Sequence, residues 1–515
     1  MPIRFMPRLL AALALLATPA AAVPPAGGPQ VKAPAGALQG VREGGVRAFL
    51  GIPFAAPPTG ANRWRAPQPA PRWQGVRSAT AFGPSCWQAV SPQGFGPWSR
   101  EYVVQGDISE DCLTLNVWTP ADTRKPRPVL VWIHGGGFNS GSGALPIYHG
   151  RELARRGIVV VTLNYRVNVF GFLAHPELTR EAAGAPPTNF GLQDMIAALR
   201  WVRENIAAFG GDPRAVTVAG QSAGAMAVHD LLASPMARGL FHRAIAQSGL
   251  PGLRPPPPLA QAEKDGLAFA AEKGAASLAA LRALPAEALQ PSKGGNLIRF
   301  VPSLDGAVLP ASPNDAMRTG RYADVPMLAG FTADEVSSAS DYGSGDPALL
   351  RDLLEDRYGP AAPRAVPLYP SATEAERARS IIELHRDRWR AVSLDWARAR
   401  SATSKAPVYL YTFSRVPPGP EAARWQAFHS SEIPWVFGTL EAAPERRFTP
   451  ADRAFSDQAA TYWVNFVKTG DPNGGKLPRW PAFDAANPRL LDLGTRSRAV
   501  PVLDPRKMEL LKAPQ

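Results

Sequence analysis

The chain has 515 residues, 45% of them hydrophobic and 19% charged, which excludes a disordered polymer and allows a large core. Its formal charge of +13 is dispersed, with no run of Lys and Arg interleaved with aromatics, so nucleic acid is not an expected partner. Only two cysteines occur, and no histidine pair sits beside them at ligand spacing, which argues against a zinc site.

The first residues, MPIRFMPRLLAALALLATPAAA, read as a signal peptide over 1–22. Arg4 and Arg8 form the basic end, Leu9 to Leu16 the apolar segment, and Ala20-Ala21-Ala22 the small-residue cleavage site. The apolar run is too short to span a bilayer comfortably, and no other segment is apolar enough to try. Removing 1–22 takes two arginines and no acids, leaving a mature charge of +11. An exported, periplasmic or extracellular protein is therefore expected, and there Cys86 and Cys112 read as one disulfide. Such a bridge would stabilise the fold by roughly 3 kcal/mol. Val23 to Gly36, rich in Pro, Ala and Gly, reads as a flexible leader, and 37–515 as a single domain.

Apolar runs then alternate with helical patterns. PVLVWI (128–133) and IVVVTL (158–163) are continuously apolar, as strands covered on both faces are. Leu192, Met195, Ile196, Leu199, Val202 and Ile206 recur at helical spacing, predicting a helix over 192–209. Further strands are expected at 215–219, around Ile245, at 326–331 and at 407–413. This alternation predicts a mainly parallel sheet flanked by helices, with a helical cap or lateral insertion between Leu259 and Pro370.

Three stretches carry chemistry. Gly220-Gln221-Ser222-Ala223-Gly224 fits G-x-S-x-G, a sharp strand-to-helix turn that raises a serine hydroxyl above the sheet. A serine that only caps a helix explains Ser222 but not the two glycines. HGGGF (134–138) follows PVLVWI, and consecutive glycines can turn backbone N–H groups toward one point. Gly136 and Gly137, with the Ala223 N–H, are the candidate oxyanion hole, while His134 is expected beneath the loop in a structural role. A serine needs a base. With the order serine, acid, histidine, His229 and His242 come too early, and His429, in a loop after a late strand, is favoured over His385 in a charged helical stretch. The acid is sought at a strand end, in GFTADEVSS (330–338). Asp334 and Glu335 cannot be separated by spacing, and Asp305 competes from an Asp-Gly turn.

Together with SEDCLTLNVW (109–118), NYRVNVFGFL (164–173), NFGLQD (189–194) and HSSEIPWVFG (429–438), these stretches resemble the type-B carboxylesterase family over nearly all of the mature chain. The resemblance implies the α/β-hydrolase fold and hydrolysis of small-molecule carboxylic esters. It also implies Ser222 as nucleophile, His429 as base, Glu335 as acid and a Cys86–Cys112 bridge, with no metal or organic cofactor. Three positions depart from the family pattern: Gln221 where Glu is common, Val336 where Gly usually follows the acid, and Met195 where Gln is frequent. A neutral amide at 221 lowers the negative potential beside the serine and argues against choline esters. A relative that keeps the fold without chemistry would lack the serine, base, acid or glycine loop, all present here. An amidase or lactonase would use the same groups.

Overall fold

The computed structural model describes residues 27–122, 124–251, 255–290 and 300–511, so the expected signal peptide lies outside the described residues. Eleven strands form the central sheet. In chain order they are β1 Val41–Glu43, β2 Val46–Pro53, β3 Thr114–Pro120, β4 Arg127–Ile133, β5 Val159–Leu163 and β6 Gly211–Gln221, then β7 Arg243–Gln247, β8 Met327–Thr332, β9 Val408–Phe413, β10 Arg489–Leu493 and β11 Arg498–Pro501. Their spatial order is β11-β10-β9-β8-β7-β6-β4-β5-β3-β2-β1. The seven strands from β10 to β5 pair in parallel. Antiparallel strands close both edges.

The central strands bury both faces, which is why their sequences are continuously apolar. Val129, Val131 and Ile133 of β4 point into one layer, with Phe190–Asn205 (α1) and Ala223–Ala233 (α2). Leu130 and Trp132 point into the other, against Pro450–Thr469 (α3), which supplies Phe455, Tyr462, Trp463 and Phe466. The helix expected over 192–209 starts two residues earlier and tightens into a 3₁₀ turn over Ile206–Phe209. The expected strands at 326–331 and 407–413 are β8 and β9. Short helices Leu259–Glu272, Leu278–Ala283, Pro313–Arg318 and Pro347–Tyr358 make up the lateral insertion. A 30-residue helix, Glu374–Thr403 (α4), follows. Among the described residues, no helix is long and apolar enough to cross a membrane.

The leader departs from expectation. Gln30–Ala33 is a strand paired antiparallel with Gly36–Gln39, and Val31 and Ala33 are buried. The alternation of Val31 and Ala33 with polar neighbours outweighs the Pro/Gly/Ala composition around it. Cys86 and Cys112 form the expected disulfide.

Two family-like stretches carry acids held in ion pairs, the first fully buried and the second half-buried. Asp194 of α1 receives Arg166 Nε at 2.8 Å, Nη2 at 2.6 Å and the Arg166 backbone N–H at 3.0 Å. Glu110 receives Arg63 Nε at 2.7 Å, and Arg63 Nη1 also donates to the Leu284 carbonyl. Breaking the first pair from one side leaves a carboxylate with no cation in the interior. Arg166→Met is therefore expected to cost about 3–5 kcal/mol in denaturant unfolding, and a loss under 1 kcal/mol would contradict this account.

Candidate active site

β6 ends at Gln221 and α2 begins at Ala223, leaving Ser222 as the single residue of the turn. Its φ of 57° and ψ of −125° lie outside the regions a non-glycine residue favours, so the turn is strained. The flanking glycines make it possible. A Cβ on Gly220 would come within 2.4 Å of the Gly224 backbone, and one on Gly224 within 2.2 Å of the Ile133 carbonyl. Strand, helix and neighbouring strand approach too closely for any side chain at either position.

The glycine loop lies directly over this turn. A Cβ on Gly135 would stand 3.1 Å from Ser222 Cβ. Gly136 and Gly137 both have positive φ, 111° and 64°, which turns successive N–H groups away from β4. Among the described residues, the N–H groups of Gly136, Gly137 and Ala223 donate to no protein acceptor. His134 sits beneath, as expected. It is buried, stacked on Tyr165 with ring centroids 4.3 Å apart, and hydrogen-bonded through Nδ1 to the Gly135 carbonyl at 2.8 Å. Burial lowers its pKa to about 4, so it stays neutral.

The candidate acid and base meet where β8 and the loop after β9 converge. His429 Nδ1 is hydrogen-bonded to Glu335 Oε2, and Glu335 Oε1 accepts the Thr332 N–H at 2.8 Å. The carboxyl is fully buried. Burial opposes charge on His429, but Glu335 outweighs it and the pKa is raised above the ordinary 6.5. Asp334 points elsewhere. It accepts Arg386 of α4 at 2.7 Å, the Tyr342 hydroxyl at 2.6 Å and the Ala427 N–H at 3.0 Å, fastening the base-bearing loop to α4. Asp305 holds its own turn through the Ala307 and Leu309 N–H groups and receives the Asn189 amide. His385 faces Tyr342 from α4. Geometry thus joins His429 to Glu335 and leaves Asp334, Asp305 and His385 in supporting positions.

Three further residues shape the centre. Gln221 Nε2 lies 3.2 Å from His429 Nε2, so the amide can donate to the lone pair on the side away from Glu335. Gln221→Glu would replace that donor by a second carboxylate facing the ring. It is expected to raise the His429 pKa and move the acid limb of the kcat/KM profile to higher pH, and an unmoved limb would contradict the contact's role. Trp98, carried by the loop that the disulfide closes, donates its indole N–H to the His429 carbonyl at 3.0 Å and stands edge-on to the ring. Glu432 was not singled out from the sequence. It is fully enclosed, accepts Gln247 Nε2 at 3.0 Å, and burial together with the Glu335 charge pushes its pKa up to about 7. Gln247 in turn receives the Trp463 indole at 2.9 Å. The spacing His429-x-x-Glu432 was its only sequence signal.

Residues 27–510 match the model of the carboxylesterase family. The chain is 38% identical over 463 residues to a fumonisin B1 esterase of Sphingopyxis macrogoltabida, covering 87% of this chain and 83% of that protein. It is also 38% identical over 470 residues to a para-nitrobenzyl esterase of Bacillus subtilis (strain 168), covering 87% and 91%. A solved PNB esterase structure superposes with a TM-score of 0.76 at 35% identity, over 94% of this chain and 99% of that one. A serine hydrolase of carboxylic esters built on the α/β-hydrolase fold, this chain belongs to the carboxylesterase family.

Proposed function

We propose that Ser222, His429 and Glu335 form the catalytic triad, with Gly136, Gly137 and Ala223 as oxyanion hole, and that the mature protein works outside the cytoplasm on small-molecule esters. The observation that carries this reading is the buried Glu335–His429 hydrogen bond, whose ring presents Nε2 beside the strained turn of Ser222. With Nδ1–H donating to Glu335, Nε2 is a proton acceptor. The Ser222 hydroxyl takes the place of the Gln221 amide there, gives its proton to His429 and attacks the ester carbonyl. The three N–H groups receive the oxyanion. His429 then protonates the departing alcohol, and water repeats the steps on the acyl-enzyme, releasing the acid and regenerating Ser222.

Export is supported by the basic-then-apolar N terminus and by a disulfide, a bond that persists in oxidising compartments. The relatives named above act on chemically unlike esters, so a general ester hydrolase is the reading adopted. A fluorophosphonate probe tests it. Wild type is expected to label stoichiometrically and Ser222→Ala not at all, and equal labelling of the two would remove Ser222 as nucleophile.

A further inference from the structure

The imidazole of His429 has to be aimed twice in one turnover, at Ser222 during acylation and at water during deacylation. The backbone that aims it is strained. Ser430, the next residue, has a φ of 79°, and Gln426 ahead of it a φ of 51°. Non-glycine residues in the left-handed region persist only where their surroundings fix them. The φ of Ser430 depends on the orientation of the peptide plane that it shares with His429. Turning that plane over would return Ser430 to negative φ. It would also swing the His429 carbonyl to the opposite side and change the backbone from which the imidazole projects.

Asp334 anchors this loop two residues before the histidine. Its N–H donates to the Ala427 carbonyl at 3.1 Å and its carboxyl group receives the Ala427 N–H at 3.0 Å. The carbonyl of His429 itself accepts the Trp98 indole N–H at 3.0 Å, among the described residues its only hydrogen bond. Trp98 is firmly carried. Phe95 and Trp98 exchange backbone hydrogen bonds of 2.9 and 3.1 Å, closing a tight turn through Gly96 and Pro97. Gly94 has a φ of 81°, and a Cβ there would stand 2.3 Å from the Trp98 carbonyl. Arg446 donates to the Pro97 carbonyl at 3.1 Å and to the Ser99 hydroxyl at 2.9 Å, and its guanidinium lies 5.3 Å from the Phe428 ring centroid. One cation thus ties the residues on either side of Trp98 to the residue before His429.

We propose that Trp98 is a positioning residue for His429, its indole N–H holding the peptide plane that aims the imidazole through both halves of the reaction. This inference rests on the triad reading above. Trp98 stands edge-on to the imidazole, and a tryptophan that only lined the alcohol side would act while the alcohol is bound and not after it has left. Positioning of the base persists into deacylation, when water has taken the place of the alcohol.

p-Nitrophenyl dimethylcarbamate separates the two halves. Release of p-nitrophenol reads the first, and recovery of esterase activity after removal of excess reagent reads the second alone. Trp98→Phe keeps an aromatic ring beside Phe95 and removes the N–H. Well below its Tm, it is expected to slow both halves by about fivefold or more. Trp98→Leu, which loses the ring as well, is expected to slow recovery at least as much. Recovery of Trp98→Phe at the wild-type rate overturns the proposal. If release alone is slowed, Trp98 lines the alcohol side, and if both rates hold while Tm falls, it only packs. A fluorophosphonate that fails to label wild type, or labels Ser222→Ala equally, overturns the triad reading itself, whatever the rates of Trp98→Phe.

Discussion

His429→Ala lowers kcat for a p-nitrophenyl ester by about a millionfold, with KM changed far less. Without the imidazole, Ser222 has no acceptor for its proton, and Glu335 is left buried beside a gap. What remains is the oxyanion hole and binding, worth roughly 10³–10⁴ over water in enzymes of this kind. Steady-state kinetics with burst-phase controls measures the loss. A fall of less than about a hundredfold, the scale of a single general-acid or general-base contribution, would mean that another group takes the serine proton.

Glu335→Gln is the second large effect. The amide cannot stabilise the imidazolium and favours the wrong tautomer, and kcat falls by about 10³–10⁴. The pH profile carries a second signature. Wild-type kcat/KM falls as pH drops through a His429 pKa above 6.5, because the base must be neutral. The protonated His429–Glu335 pair contributes stability that is present below the unfolded-state pKa and is lost as pH rises through the raised folded-state value. In Glu335→Gln the acid limb moves down. Asp334→Asn separates the two neighbours: it weakens the contacts to Arg386 and Tyr342 that hold the base-bearing loop, so Tm falls while the acid limb keeps its position. If the two variants behaved in the opposite way, the assignment of the acid would be reversed.

That pair also shows where sequence reasoning stopped. Residues next to each other at a strand end point to opposite sides, and which side meets the histidine depends on partners distant in sequence. Glu335 turns to His429, and Asp334 turns to Arg386 on the long helix. The family resemblance implies Glu335, the residue of the two whose carboxyl group meets His429, where spacing leaves both open. Ser222 and the glycine loop were legible because their geometry is local, written in glycines two residues either side of the serine and immediately after β4. The parallel strands were legible because burial on both faces makes them continuously apolar. Glu432 went unnoticed because its partners Gln247 and Trp463 lie on other elements. The strand at Gln30–Ala33 was masked by the prolines and glycines beside it.

Gln221 changed meaning between sequence and structure. As a departure from the family pattern, it implies only a weaker negative potential beside the serine. In the fold its amide lies against His429, the base of the proposed triad.

The central claim is a covalent acyl-enzyme on Ser222. Rapid mixing with a p-nitrophenyl ester at saturating concentration, acid quenching within the burst, and peptide mapping by mass spectrometry tests it most directly. The account predicts a burst of one p-nitrophenol per protein and the acyl mass on the peptide containing Gly220-Gln221-Ser222-Ala223-Gly224. Turnover with no acyl peptide, or the acyl mass on a peptide that lacks Ser222, would contradict it.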